Sequence, residues 1–148
     1  MNTSNPKLSF IALIGSMMML AALSTDMILP AFPSIANRFG ISVSEVQLIL
    51  IAFMFGHALP HVVIGSVADR IGRRPVLIAG LVVFGLGGAI CLAAPNFSWV
   101  LIGRFVQGLG SAAGPILARA ILRDLFHGAQ LGQYLSFSMV VFTVGPLL

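Results

Sequence analysis

The stretch Val76-Leu-Ile-Ala-Gly-Leu-Val-Val-Phe-Gly-Leu-Gly-Gly-Ala-Ile-Cys-Leu-Ala-Ala94 runs for 19 residues without a charge. As a helix it rises about 28 Å at ~1.5 Å per residue, close to the ~30 Å hydrocarbon core of a bilayer. It therefore reads as a membrane span. Three more complete apolar stretches surround it, over about 10–29, 43–67 and 99–117. A fifth opens near Leu131 and is still apolar at Leu148. The fold class is all-α, a polytopic membrane helix bundle.

Composition agrees. The chain has 148 residues, 58% hydrophobic and only 8% charged, where soluble domains carry about 25%. Its mean hydropathy is +1.04. So few charges cannot build a soluble surface, and one small core cannot hide so much apolar area. A soluble enzyme, a disordered tail and a nucleic-acid binder are excluded. Nothing in the sequence calls for a cofactor, and the partner implied is the lipid bilayer. Cys91, the lone cysteine, supports neither a disulfide frame nor a metal site.

Polar breakers separate the spans. Pro30, Pro33, Asn37 and Gly40 mark a first loop. Ser42-x-x-Glu45 has capping-box spacing at the start of the second span. Pro95-Asn96 makes a tight turn, and Gly128 separates the fourth and fifth segments. Lys7, Arg70, Arg73, Arg74, Arg119 and Arg123 flank the spans on one side, and only Arg38 on the other. By the positive-inside rule the N-terminus is cytoplasmic, in an inner (plasma) membrane. A cleaved signal peptide is the competing reading of the first segment. Asp26 and the Pro30/Pro33 pair make a poor cleavage region for it.

Apart from the capping Glu45, the formal charges within the spans are Asp26 and Arg104. Counted from the cytoplasmic side, Asp26 lies about 25 Å up and Arg104 about 22 Å up at ~1.5 Å per residue. Opposite charges at one depth predict an ion pair facing a wet cavity, a proton and substrate site shared with Gln107, one turn from Arg104. A static packing pair is the plainer alternative. Gly110 and Gly114 form a small-xxx-small face on the fourth span. Gly108-x-Gly110 is not a nucleotide loop, because no strand precedes it. Met17, Met18 and Met19 read as lipid-facing or packing residues. His57 and His61, four apart with Gly65 on the same stripe, are candidate cavity-lining residues. Two imidazoles without carboxylate or thiol support do not by themselves make a metal site.

The most specific string is the loop Gly65-Ser-Val-Ala-Asp69-Arg70-Ile-Gly72-Arg73-Arg74-Pro75. It resembles the G-x-L-a-D-R-x-G-R-[KR] loop of the major facilitator superfamily. Asp26-Met-Ile-Leu-Pro30-Ala-Phe-Pro33 resembles that superfamily's first-helix motif D-x-x-L-P-x-x-P, and Arg104-Phe-Val-Gln107-Gly108-Leu-Gly110 its R-x-x-Q-G-x-G motif. Arg119 and Arg123-Asp124 are similar to the R-A-x-x-R-D ending of the Bcr/CflA branch of drug:proton antiporters. Gly145-Pro146 looks like the start of an antiporter motif in helix five. The departures from the branch are His57, Pro60 and His61.

The resemblance implies several roles. Arg104 would help deprotonate Asp26, and Gly65 would allow close contact with a helix of the second half. Asp69, Arg70 and Arg73 would form a charge latch. It also implies a twelve-helix fold of two six-helix halves around a midplane site, of which residues 1–148 would be an incomplete N-terminal half. The implied function is proton-coupled efflux of drug-like molecules, with a small-molecule substrate, a proton and the missing C-terminal half as partners. A sugar or metabolite carrier of the same fold, a small accessory membrane protein, an inactive fragment and an intramembrane metalloenzyme on His57 and His61 are the alternatives.

Overall fold

The computed structural model describes residues 8–126 with Gly128, Gly132 and Ser136, and every regular element among them is helical. Four helical segments are long and apolar enough to cross a membrane: Ile14–Phe39, Val43–Val62, Arg73–Leu92 and Phe97–Leu125. We refer to them as spans one to four; the chain is a multi-pass membrane protein. The expected fifth span lies outside the described residues apart from Gly132 and Ser136, and so do Gly145 and Pro146.

Proline decides where the spans break. Span one consists of α1 (Leu8–Asp26), a 3₁₀ turn (Leu29–Ala31) and α2 (Phe32–Phe39). Pro30 has no N–H for the Asp26 carbonyl, and Pro33 none for that of Leu29. Each proline instead sits in the first turn of the element that follows, where no donor is needed. The helical path therefore continues through the expected first loop and stops at Gly40, whose φ of 65° closes α2 in a left-handed cap. This corrects the first span from about 10–29. Asp26 falls at the middle of the longer Ile14–Phe39 segment instead of its outer third.

Span two contains α3 (Val43–Val46), α4 (Leu48–Ala58) and a 3₁₀ turn (Leu59–Val62) around Pro60, and α5 (Ile64–Ile71) follows. The Ser42–Glu45 capping box is formed, with Glu45 N–H donating to Ser42 Oγ at 3.2 Å and Ser42 N–H to Glu45 Oε2 at 2.8 Å. Span three is one unbroken helix, α6 (Arg73–Leu92), because Pro75 lies in its first turn. Span four divides at Ala112 into α7 (Phe97–Ser111) and α8 (Ala113–Leu125). Pro115 removes the donor for the Ser111 carbonyl there. Arg119 and Arg123 belong to the last turns of α8 instead of following the span.

Span four is the central element. Over its most apolar window it is 61% buried, against 22%, 22% and 11% for spans one, two and three. Glycines let the other spans close on it. A Cβ at Gly114 would overlap Met17 of span one, one at Gly108 the Phe53 carbonyl of span two, and one at Gly110 the backbone of Gly80 and Phe84 on span three. In lipid, helices gain little from hiding apolar surface, so this close backbone approach is a main source of cohesion. Large side chains such as Val62, Met54 and Leu86 are turned outward, as a lipid-facing surface allows.

Two apolar clusters divide the bundle along its length. One joins Ile14, Met17, Met18, Ala68, Val76, Leu117 and Leu122 at the basic end. Met17 and Met18 are thus core residues. The other joins Ala36, Val46, Ile49, Ala94 and Val100 at the far end. Between the clusters, one face of span one together with Phe84 of span three and Arg104 and Gln107 of span four encloses a cavity.

Gly110→Val would drive a branched side chain into span three's backbone, and overpacking of this kind costs about 1–3 kcal/mol or more. We expect a clearly lowered melting temperature for that variant in detergent. Gly85→Ala, where a Cβ meets open space, should melt at or above the parent temperature. Equal melting of the two variants would remove span four from the centre of the bundle.

Candidate functional site

The cavity between the clusters measures about 460 Å³. Its span-one wall is Leu20, Leu23, Ser24, Met27, Ile28, Ala31 and Ile35, and Phe84, Arg104 and Gln107 complete it. The span-one residues follow i, i+3, i+4, i+7 spacing, so they form a single helix face. Most of the wall is apolar, and its charge is Arg104.

Arg104 is only 9% exposed. Its Nη1 donates to the Ser24 carbonyl at 3.2 Å and to Ser24 Oγ at 3.3 Å. The expected ion pair with Asp26 is not made: the one ion pair among the described residues is elsewhere. Helix geometry gives the reason. Asp26 is two residues beyond Ser24, about 200° around the helix, and so off the cavity face. Its side chain is exposed. Sequence reading missed Ser24 because a neutral residue carries no depth signal; its place two residues before Asp26 on the face of Leu20 and Ile28 was the available clue.

Gln107 lines the cavity one turn from Arg104, and its Oε1 is buried without a partner. Span three makes room for this side chain with paired glycines: a Cβ at Gly88 would stand 3.2 Å from Gln107 Nε2, and one at Gly87 2.7 Å from Gln107 Cγ.

His57 and His61 are not on the wall of this cavity, which corrects their expected place. Span two instead meets span four further along the helix, around Gly108 and Ser111. There His57 Nδ1 lies 2.9 Å from Ser111 Oγ, and Ser111 Oγ donates to the Gly108 carbonyl at 2.8 Å. His61 Nδ1 lies 2.8 Å from the His57 carbonyl. The two rings meet edge-on with centroids 4.9 Å apart, and Phe53 stacks on His57 at 6.2 Å. Ser111, fully buried at the break in span four, was not identified from sequence. It reads there as one more small residue beside Gly110.

At the basic end, Arg73 makes its ion pair with Asp124, tying the start of α6 to the end of α8. Asp69, Arg70, Arg74, Arg119 and Arg123 are exposed. The Asp69–Arg70–Arg73 latch is therefore not assembled among the described residues. Gly72 turns the chain at a φ of +94°, a conformation that favours glycine, while a Cβ at Gly65 would meet nothing within 4 Å.

Comparison with known proteins agrees with this architecture. The family model described as Major Facilitator Superfamily matches residues 14–148. The chain is 37% identical over 145 residues to an uncharacterized MFS-type transporter, YdgK, of Bacillus subtilis (strain 168), covering 98% of this chain and 36% of that protein. It is 34% identical over 147 residues to a bicyclomycin resistance protein homolog of Haemophilus influenzae, covering 99% of this chain and 37% of the relative. Over 123 residues it is 34% identical to the multidrug resistance protein MdtL of Klebsiella pneumoniae (strain 342), covering 83% of this chain and 31% of that protein. The chain thus spans about a third of the length of the curated relatives it matches.

The site geometry separates Ser24 from Asp26 experimentally. A hydrogen bond to a charged group contributes about 1.5–3 kcal/mol in water, and somewhat less inside membranes. Ser24→Ala should lower the melting temperature in detergent and show coupling with Arg104→Met in a double-mutant cycle. Asp26→Ala should show no such coupling. Coupling of Arg104 to Asp26 alone would overturn the assignment.

Proposed function

The chain belongs to the major facilitator superfamily, and from that membership we propose that it serves the export of drug-like small molecules in exchange for protons. The observation that carries this reading is Arg104, buried on the central span and turned into a largely apolar cavity against span one. About 460 Å³ falls within the range of small-molecule sites, and the apolar walls suit the body of an amphipathic cargo. The names of the relatives from Haemophilus and Klebsiella favour drugs over sugars as the cargo class.

Proton coupling is assigned to Asp26. A bare carboxylate in hydrocarbon costs several kcal/mol, and taking up a proton removes that cost. Arg104, held two residues away on Ser24, is the counter-charge available to the carboxylate when the moving spans bring the two groups closer. Protonation of Asp26 from the outer side releases cargo, and proton loss inward resets the site. A second six-helix half would close the cavity, meeting α5 along its open Gly65 face, and the ion pair of Arg73 with Asp124 would hold the cytoplasmic ends of spans three and four together. The distribution of basic residues supports a cytoplasmic N-terminus in the inner membrane.

The test is proton-gradient-driven uptake of a labelled drug into everted membrane vesicles from cells expressing the gene. Asp26→Asn should reduce that uptake at least tenfold while leaving protein levels unchanged. Uptake equal to the parent would remove Asp26 as the proton carrier.

A further inference from the structure

The pair of histidines on span two plays no part in the Arg104 cavity, yet its hydrogen bonds fix more than a packing contact. Ser111 Oγ has one hydrogen and gives it to the Gly108 carbonyl at 2.8 Å. At 2.9 Å from His57, the same oxygen can then act only as an acceptor, so His57 carries its proton on Nδ1. His61 Nδ1 faces the His57 carbonyl at 2.8 Å, and a carbonyl only accepts. His61 is therefore the Nδ1–H tautomer as well. In the neutral form of each ring the lone pair then falls on Nε2.

This is the arrangement that prepares imidazoles for a metal. A ligating histidine typically gives its other ring N–H to an oxygen acceptor, which fixes ring orientation and raises the basicity of the ligating nitrogen. Here each ring has such an acceptor, one a buried serine hydroxyl and the other a backbone carbonyl. The rings are one helical turn apart with centroids 4.9 Å from each other. His57 is further fixed by the stacked Phe53, while His61 is exposed and reachable from outside the chain. Among the described residues no carboxylate or thiol joins them, so the chain's share of the coordination is the two imidazoles.

We propose that His57 and His61 bind a divalent d-block cation of borderline softness, such as Zn²⁺, through their two Nε2 atoms. The remaining coordination positions are left to water or to a facing segment. The site is separate from the transport reading and stands or falls without it.

Zn²⁺ is the probe. Metal-free, untagged protein purified in detergent should bind one Zn²⁺ in the micromolar range by calorimetry. His61→Gln, an exposed position that leaves the fold intact, should weaken binding at least tenfold. Ser111→Ala should weaken it several-fold without touching a ligand, as loss of a supporting acceptor does. In the metal-free protein, ¹⁵N spectra of histidine should show two rings protonated at Nδ1. Zn²⁺ binding only in the millimolar range, or binding that His61→Gln leaves unchanged, overturns the proposal, as would spectra showing both rings protonated at Nε2.

Discussion

A guanidinium inside a bilayer needs oxygen atoms around it, and Arg104 finds those of Ser24. That contact joins span four to span one at the level where the bundle's two apolar clusters leave a gap. Both clusters depend on span four standing at the centre, and its glycines are what let spans one, two and three approach it. The cavity follows from this construction: it is the largely apolar interval between the two clusters, with Ser24, Arg104 and Gln107 as its polar groups. Its one charge sits on the most buried helix, the place where desolvation makes a charge most responsive to its neighbours.

The breaks in the spans belong to the same construction. Pro30, Pro60 and Pro115 each free a carbonyl within a membrane-embedded helix, and the structure uses the freed positions differently. In span one the helix resumes through a 3₁₀ turn beside the cavity. In span four the break at Ala112 is flanked by Ser111, held by a histidine from span two. Irregular backbone at this depth is tolerated where protein surrounds it, and the burial of Ser111 meets that condition. Span three, with its proline confined to the first turn, runs unbroken from Arg73 to Leu92.

Much of this was legible in the residues. Long apolar runs give the spans, the Ser42–Glu45 spacing gives the cap, and Gly110 and Gly114 mark close approaches, to span three and to span one instead of on a single face. The depth of Arg104 identified a group that must be partnered. The identity of the partner was not legible, because rise per residue fixes height but not azimuth. Asp26 lies near the right level and on the wrong side of its helix, whereas Ser24 lies on the right side. Pro30 and Pro33 suggested a loop since proline usually ends a helix; first-turn placement of both lets the helical path run on to Gly40. His57 and His61 shared a stripe, as their spacing required, but only packing could say which face of span four that stripe would meet.

The account turns on which atoms surround the Arg104 guanidinium. Solid-state NMR in lipid bilayers, with ¹⁵N on arginine side chains and ¹³C on serine and aspartate, measures this directly through dipolar contacts from the Arg104 Nη atoms. We expect a short-range contact to the Ser24 carbonyl carbon and none to the Asp26 carboxyl carbon in the resting protein. A strong contact to the Asp26 carboxyl carbon with none to Ser24 would contradict the Arg104–Ser24 contact on which this account of the cavity is built.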